Sequence, residues 1–246
     1  MTISLITACF NRSKTIERTI QSVLSQNYSN IEYIIIDGGS TDGSIDIIKC
    51  YAGKIAHFRS APDNNMYEAI NKGIRLATGD VVGLLHSDDV FYATDVLTKV
   101  ADAFKRHNVD IVYGDGIFVD KEESQKTIRN WISGEYNRQK IKRGWLPLHP
   151  TVYAKKSVLE QCGLYNESYK IASDSDMLIK MLFINHFKVH YLCEYIVKMR
   201  MGGVSTSFKS QLSKWKEDFL IFRFHKLNPY IALGGKILSK VPQFFR

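Results

Sequence analysis

The run His86-Ser87-Asp88-Asp89 directly follows the apolar stretch Val81-Val82-Gly83-Leu84-Leu85. Adjacent carboxylates at the mouth of a buried strand are costly unless a positive charge meets them. Aspartate oxygens suit a hard divalent ion, magnesium or manganese, which would in turn hold the phosphates of a nucleotide. The alternative is a solvated acidic pair capping the helix that begins near Thr94. Asp37 closes a second apolar run, Ile31 to Ile36. There it either accepts hydrogen bonds from a base or ribose, or caps its own loop through the amides of Gly39 and Ser40. Asp174 and Asp176 open a helix, where free amides and the dipole stabilise a carboxylate whatever its role. His86 and His149 are the histidines placed to matter, as reacting groups or as packed structural residues.

Other chemistries lack their signatures. The first turn, Cys9-Phe10-Asn11-Arg12, has no glycine, so a GxGxxG dinucleotide site is disfavoured, and no GxxxxGK[ST] loop is present. There is no GxSxG elbow, and no Ser-His-Asp grouping follows from spacing.

The elements that must position these acids follow from periodicity. Apolar runs predict strands at Ile3–Ala8, Glu32–Ile36, Ile55–Arg59, Val81–Leu85 and Val109–Tyr113. Helical spacing predicts helices over Ser13–Gln26 (Ser13 as N-cap), Ile45–Tyr51, Met66–Thr78 and Thr94–Lys105. Strand and helix alternating at short intervals, with strands apolar throughout, indicate an α/β fold with a mainly parallel sheet covered on both faces. Acids at the strand ends put the site at the carboxyl edge. Residues from Gly114 to Trp145 turn polar and suggest β-ribbons or loops facing substrate. Val152–Val158 adds a strand and the start of a helix. Asp174–Ile184 and Ser213–His225 complete the helices, and Gly234-Gly235 and Pro242 argue against one continuous helix at the C-terminal end.

The 246 residues carry a net charge of +8, and it is not spread evenly. From Lys198 onward there are ten Lys and Arg against Glu217 and Asp218, while the first 197 residues balance to zero. An anionic membrane, nucleic acid or a phosphorylated substrate would each answer that charge. Aromatics interleave with the cations, but mostly at helical spacing, which favours packing over a nucleic-acid surface. Four scattered cysteines without metal spacing suggest buried thiols of a cytosolic protein and no zinc site. Neither a signal peptide nor a transmembrane helix is expected.

The ordered motifs resemble family 2 glycosyltransferases: Ile3 to Arg12, then Tyr33 to Ser44, Asp63 to Ile74, Ala77 to Asp80 and Leu84 to Asp89. His149-Pro150-Thr151, Cys162 to Glu167 and Ser173 to Leu178 resemble the same family's acceptor half, and bacterial exopolysaccharide, O-antigen and colanic acid transferases form the nearest subgroup. The resemblance covers about residues 1–205. It implies a GT-A fold, with a nucleotide-sugar half at 1–113, an acceptor half at 114–205 and a basic, aromatic-rich extension at 206–246. It further implies a nucleoside-diphosphate sugar donor, most often UDP-linked, manganese or magnesium, and inversion. By motif position, Asp174 is the catalytic base, and Thr7, Ala8, Phe10, Arg12 and Asp37 cradle the nucleotide. Ser87 and Asp88 meet the donor, Asp88 with Asp89 beside it holds the metal, and Lys72 is a candidate for the diphosphate. His86, His149, Asp176, Gly203 and Ser205 fall on the acceptor side or near the diphosphate. His86 stands where many members have an acid, Ser173 where many have Glu before the base, and Ile70 where some carry a basic residue.

The expected acceptor is a saccharide on a polyprenyl diphosphate, met by a cytoplasmic protein lying peripherally on the inner face of the bacterial inner membrane; no nucleic acid is involved. Alternatives are an inactive nucleotide-sugar-binding protein of the same fold and a nucleotidyltransferase.

Overall fold

The computed structural model describes residues 1–120, 126–202 and 208–239. In chain order the elements begin β1 (Ile3–Cys9), α1 (Ile16–Leu24), β2 (Ile31–Asp37), α2 (Ser44–Lys49), β3 (His57–Ser60), α3 (Met66–Leu76) and β4 (Val81–Leu84). Then come β5 (Val90–Phe91), α4 (Val96–His107), β6 (Ile111–Val119), β7 (Thr127–Trp131), α5 (Arg138–Ile141), β8 (Tyr153–Lys155) and α6 (Lys156–Cys162). The chain continues through α7 (Ser173–Ile179), β9 (Val189–Arg200), α8 (Phe208–Phe224) and α9 (Pro229–Leu238).

The strands form one curled sheet in the order β3-β2-β1-β4-β8-β6-β9-β5, with β7 paired to β6. The first four are mutually parallel, β6 and β9 are parallel, and β8, β5 and β7 join antiparallel. Register places Cys9 beside Asp37 and Asp37 beside Ser60, so the acid of β2 arrives at the carboxyl edge between two neighbouring strand ends. Both faces are covered. Ile3 and Leu5 point toward Ile16, Ile20 and Val23 of α1, while Ile6 packs with Ile70 and Ile74 of α3. That division explains why the strands are apolar at consecutive positions.

Several expectations change. Ser13 does not cap α1: its amide donates to Asp42 Oδ2 at 2.9 Å, and the helix starts at Ile16. In α3 the cap is Asn65, whose Oδ1 accepts from the amides of Tyr67 (2.9 Å) and Glu68 (3.1 Å). The strand expected to stop at Tyr113 runs on to Val119 as β6 and forms a ribbon with β7. Gly114 lies inside it because a Cβ there would come within 2.7 Å of the Glu194 carbonyl on β9. β9 itself, twelve residues long, was not anticipated. Of the cysteines, Cys9 is buried, Cys162 is half-buried, and Cys50 and Cys193 are exposed.

The C-terminal helices pack on the α/β body through the buried Ile221, Phe222, Leu227 and Ala232. α9 continues through Gly234-Gly235, contrary to expectation. A Cβ on Gly235 would come within 1.9 Å of the Arg143 carbonyl, and one on Gly144 within 1.8 Å of the Ala232 carbonyl. The glycines therefore serve close backbone approach between α9 and the turn after α5.

Candidate active site

The loops after β1 and β2 are laced together. Asn11, in the left-handed region at φ 51°, donates its amide to Ser40 Oγ (2.8 Å) and accepts from the Thr41 amide (2.9 Å). The Arg12 amide donates to Ser44 Oγ at 2.7 Å. Beneath them Asp37 is fully buried, and its carboxylate accepts from the amides of Gly39 (3.0 Å) and Ser40 (2.9 Å) and the hydroxyls of Ser60 (2.8 Å) and Ser40 (2.5 Å). Of the two roles considered for Asp37, these bonds match the loop cap: its oxygens accept from the loop they organise. Thr7 is likewise below the surface, its hydroxyl 3.2 Å from Tyr33 Oη.

What faces outward at this edge is Phe10, 59% exposed, with the half-buried Ala8 behind it and Gly38 beside it. A Cβ on Gly38 would touch the Phe10 ring at 3.4 Å and Asp63 Oδ2 at 3.6 Å. Asp63 Oδ1 pairs with Lys72, and its buried Oδ2 has no hydrogen-bond partner. Lys72 is engaged by Asp63 and by Glu68 at 2.9 Å. Both contacts make Lys72 a brace for Asp63. Asp63 opens the motif at 63–74 but received no role of its own from the sequence; the spacing of Glu68 and Lys72 was the readable sign that this lysine has a local partner.

Past β4, Thr15 Oγ1 of α1 donates to the Ser87 carbonyl (2.9 Å) and Thr19 Oγ1 to the Asp89 carbonyl (2.8 Å), fixing the acidic loop. The Ser87 side chain is buried. Asp88 is partly exposed, and its Oδ2 lies 3.8 Å from Arg12 Nε. Asp89 is 2% exposed; its Oδ1 accepts from the Arg200 amide at 3.1 Å, and Oδ2 is buried without a partner. Burial, then the neighbouring Asp88 charge, push the Asp89 carboxyl well above the usual range, which favours its neutral form. A cleft of about 200 Å³ opens beside Asp88, lined by Thr15, Arg18, Lys198 and Arg200 among others.

Asp174 lies in the first turn of α7 with 23% of its side chain exposed. Burial works against its ionisation, but Lys214, then His149, Lys236 and the Ser175 amide outweigh it and hold the carboxyl down at about 2. The His149 Nε2 is 2.8 Å from Tyr165 Oη, and burial lowers this imidazole to about 4, so it is neutral at pH 7. The His86 ring lies 6.4 Å from that of His149; burial lowers its pKa against the pull of both Asp88 and Asp174. Asp176, expected on the acceptor side, is instead buried between Lys180 and His225, each at 2.7 Å. Gly203 and Ser205 lie outside the described residues.

Residues 4–161 match the family model for glycosyl transferase family 2. The chain belongs to glycosyltransferase family 2. An uncharacterised glycosyltransferase of Mycobacterium tuberculosis (strain CDC 1551 / Oshkosh) is 30% identical to it over 185 residues, covering 74% of this chain and 70% of that protein. Among solved structures, Staphylococcus aureus TarS 1–349 in complex with UDP-GlcNAc superposes with a TM-score of 0.72 at 18% identity, over 90% of this chain and 65% of that one. Against a longer TarS structure this chain spans only 39% of the length. The mannosyltransferase PcManGT from Pyrobaculum calidifontis, in complex with GDP-Man and Mn2+, gives a TM-score of 0.68 at 15% identity over 95% of this chain and 68% of that one. The family 2 member described here is thus a sugar transferase with a GT-A-type fold.

Its donor set for a divalent metal is small. Asp88 offers an accessible carboxylate, whereas Asp89 is sealed beneath the loop, and no group of three or more His, Cys, Asp or Glu side chains suited to a metal occurs among the described residues. A single aspartate fits an ion that takes its other oxygens from a phosphate ligand and water. Asp88 is accordingly the residue that would hold it.

Proposed function

We propose that the protein is an inverting transferase that moves a hexose or N-acetylhexosamine from a UDP-linked donor to a saccharide acceptor carried on a lipid diphosphate. The observation that carries this reading is the pairing of the His86 and His149 rings, 6.4 Å apart, between the acidic loop that carries Asp88 and the start of α7 that carries Asp174, with both carboxylates acting on His86. A donor site and a base at one edge are what a direct displacement needs.

In this reading the uracil stacks on Phe10 over Gly38 and donates its imide N–H to Asp63 Oδ2, the oxygen left without a partner. Arg12 and the cations of the adjacent cleft face the diphosphate. A divalent ion bound at Asp88 would add positive charge where the leaving group becomes more negative. Asp174, ionised throughout the neutral range, accepts the proton of the acceptor hydroxyl as that oxygen bonds to the anomeric carbon. The bond to the diphosphate oxygen breaks as the new one forms, and its electron pair leaves with the nucleotide. One displacement, with no enzyme nucleophile, inverts the anomeric carbon.

The lipid-linked acceptor is supported by the outer side of the C-terminal helices. Leu212, Lys216, Leu220, Arg223 and Phe224 fall on one face of α8, all exposed, and Tyr230, Ile231 and Leu238 of α9 are exposed as well. Apolar and aromatic side chains flanked by cations suit an anionic bilayer surface. No helix among the described residues is long and apolar enough to cross a membrane. Of the basic residues at the C-terminal end, Lys236 turns inward to Ser175 and Asp218, while Lys240 and Arg246 lie outside the described residues.

Thermal shift with UDP-glucose, UDP-galactose, UDP-GlcNAc and GDP-mannose, each with manganese, tests the donor; stabilisation by none of them would sink it. Sedimentation with phosphatidylglycerol vesicles tests the surface. Binding should fall at high salt and in the double variant Leu220→Ser, Phe224→Ser; absence of binding by the intact protein overturns it.

A further inference from the structure

The first turn of α7 is gripped from the C-terminal helices at each successive side chain after Ser173. Lys214 Nζ of α8 lies 3.7 Å from Asp174 Oδ2. Lys236 Nζ of α9 donates to Ser175 Oγ at 2.8 Å while pairing with both oxygens of Asp218 at 2.7 and 2.8 Å. His225 Nε2 is 2.7 Å from Asp176 Oδ1. Just ahead of the turn, Glu217 accepts the amides of Lys170 (2.9 Å), Ile171 (3.0 Å) and Ala172 (2.8 Å). α7 has no side-chain cap of its own, so these contacts from forty or more residues downstream set where its N-terminus points.

Lys214 stands apart from the other contacts. The acids nearest it on α8, Glu217 and Asp218, are already committed, the first to three amides and the second to Lys236. Asp174 is the carboxylate within ion-pair distance of the Lys214 ammonium, and only 19% of that side chain is exposed, which limits screening by water. The other charged or titratable groups around Asp174 are Lys236 of α9, His149 of the turn at 149–151, His86 of the acidic loop, and the phenols of Tyr67 on α3 and of Tyr165. Neither histidine stands within ion-pair distance of Asp174 among the described contacts, so Lys214 is the group that can restrain the Oδ2 atom directly.

We propose that α8 is part of the catalytic centre, with Lys214 the positioning residue that holds the Asp174 carboxylate in its working orientation. Lys214 acts through Asp174 and makes no bond to the sugar. The proposal rests on the reading of Asp174 as the base. It adds that the C-terminal pair is an integral part of the transfer site as well as a means of attachment.

The test is a double-mutant cycle in the full-length protein, read as UDP released from UDP-glucose, UDP-galactose or UDP-GlcNAc, with UDP affinity and Tm measured alongside. Lys214→Met should lower kcat about tenfold or more with KM and UDP affinity within twofold, and Lys214→Arg should restore most of the loss. In the Asp174→Asn background, Lys214→Met should have no further effect, because there is no carboxylate left to orient. A methionine variant with kcat within twofold of the parent overturns the proposal. So does a loss that arginine does not restore, or one that persists unchanged in the Asp174→Asn background, since each marks a merely structural lysine. Full turnover by Asp174→Asn alone would overturn the base assignment itself, a separate failure. Release of UDP by no form of the protein from any of the three sugars removes both.

Discussion

The donor side and the base side of the proposed site are built in different ways. The donor side is assembled almost entirely from the first ninety residues. Parallel strands in register bring Cys9, Asp37 and Ser60 side by side, and the loops that follow bond to one another through Asn11, Ser40, Asp42 and Ser44. The base side has no such local scaffold. Asp174 and its helix are held by Lys214, Glu217, His225 and Lys236. Nucleotide binding should therefore survive damage to the C-terminal helices that turnover does not.

The sharpest way to separate the two sides is Asp174→Asn. It should lower turnover about 10³-fold, within the range for loss of a general base, and leave UDP affinity within twofold by calorimetry. Nearly full turnover would remove the residue from its role. Asp88→Ala is the counterpart on the donor side. It should cost about 10²-fold in kcat/KM through lost charge stabilisation at the diphosphate, and it should weaken the donor's response to manganese, as titrations with and without the ion would reveal.

Within the donor side, two acids should behave in opposite ways. Asp63→Ala should weaken UDP about tenfold, consistent with one lost hydrogen bond to a charged acceptor, with little change in Tm. Asp37→Ala should instead lower Tm markedly, because the amides and hydroxyls it satisfies would each lose a buried acceptor at about 1–3 kcal/mol. Reversed results would return base recognition to Asp37.

The smallest effect expected is one of pH. His149 titrates near 4 in the folded protein against a usual 6.5. As pH falls through that window, the unfolded chain takes up a proton that the folded one does not. Stability is therefore full above pH 6.5 and declines toward pH 4. Comparing Tm at pH 7.5 and pH 5, the drop should be about 5 °C smaller in His149→Gln than in the parent. Equal drops would mean that the imidazole is not held neutral.

The same contrast explains what could be foreseen. Strands β1, β2 and β4 and helices α1, α3 and α4 were legible because consecutive apolar residues and helical spacing report a covered sheet directly. Asp88 was placed by the strand before it and Asp174 by the helix it opens. β9 escaped because charged and half-exposed residues interrupt its apolar positions, and Gly114 looked like a break although it marks a close crossing of strands. Lys72 and Asp176 share a feature that residue type alone does not report: each has an ion-pair partner four residues away, Glu68 and Lys180. Asp37 and Asp63 could not be ranked from sequence, since only burial tells which acid has an oxygen to spare.

The paired glycines 144 and 235 bear on engineering. With main chain meeting main chain at that crossing, no side chain is available to absorb a mismatch. Exchanging the C-terminal helices for those of another transferase, to redirect it to a new membrane or acceptor, would therefore require transplanting the 138–145 segment along with them. A chimera joined at residue 206 alone would inherit a helix that cannot seat, and with it an Asp174 without its Lys214 contact.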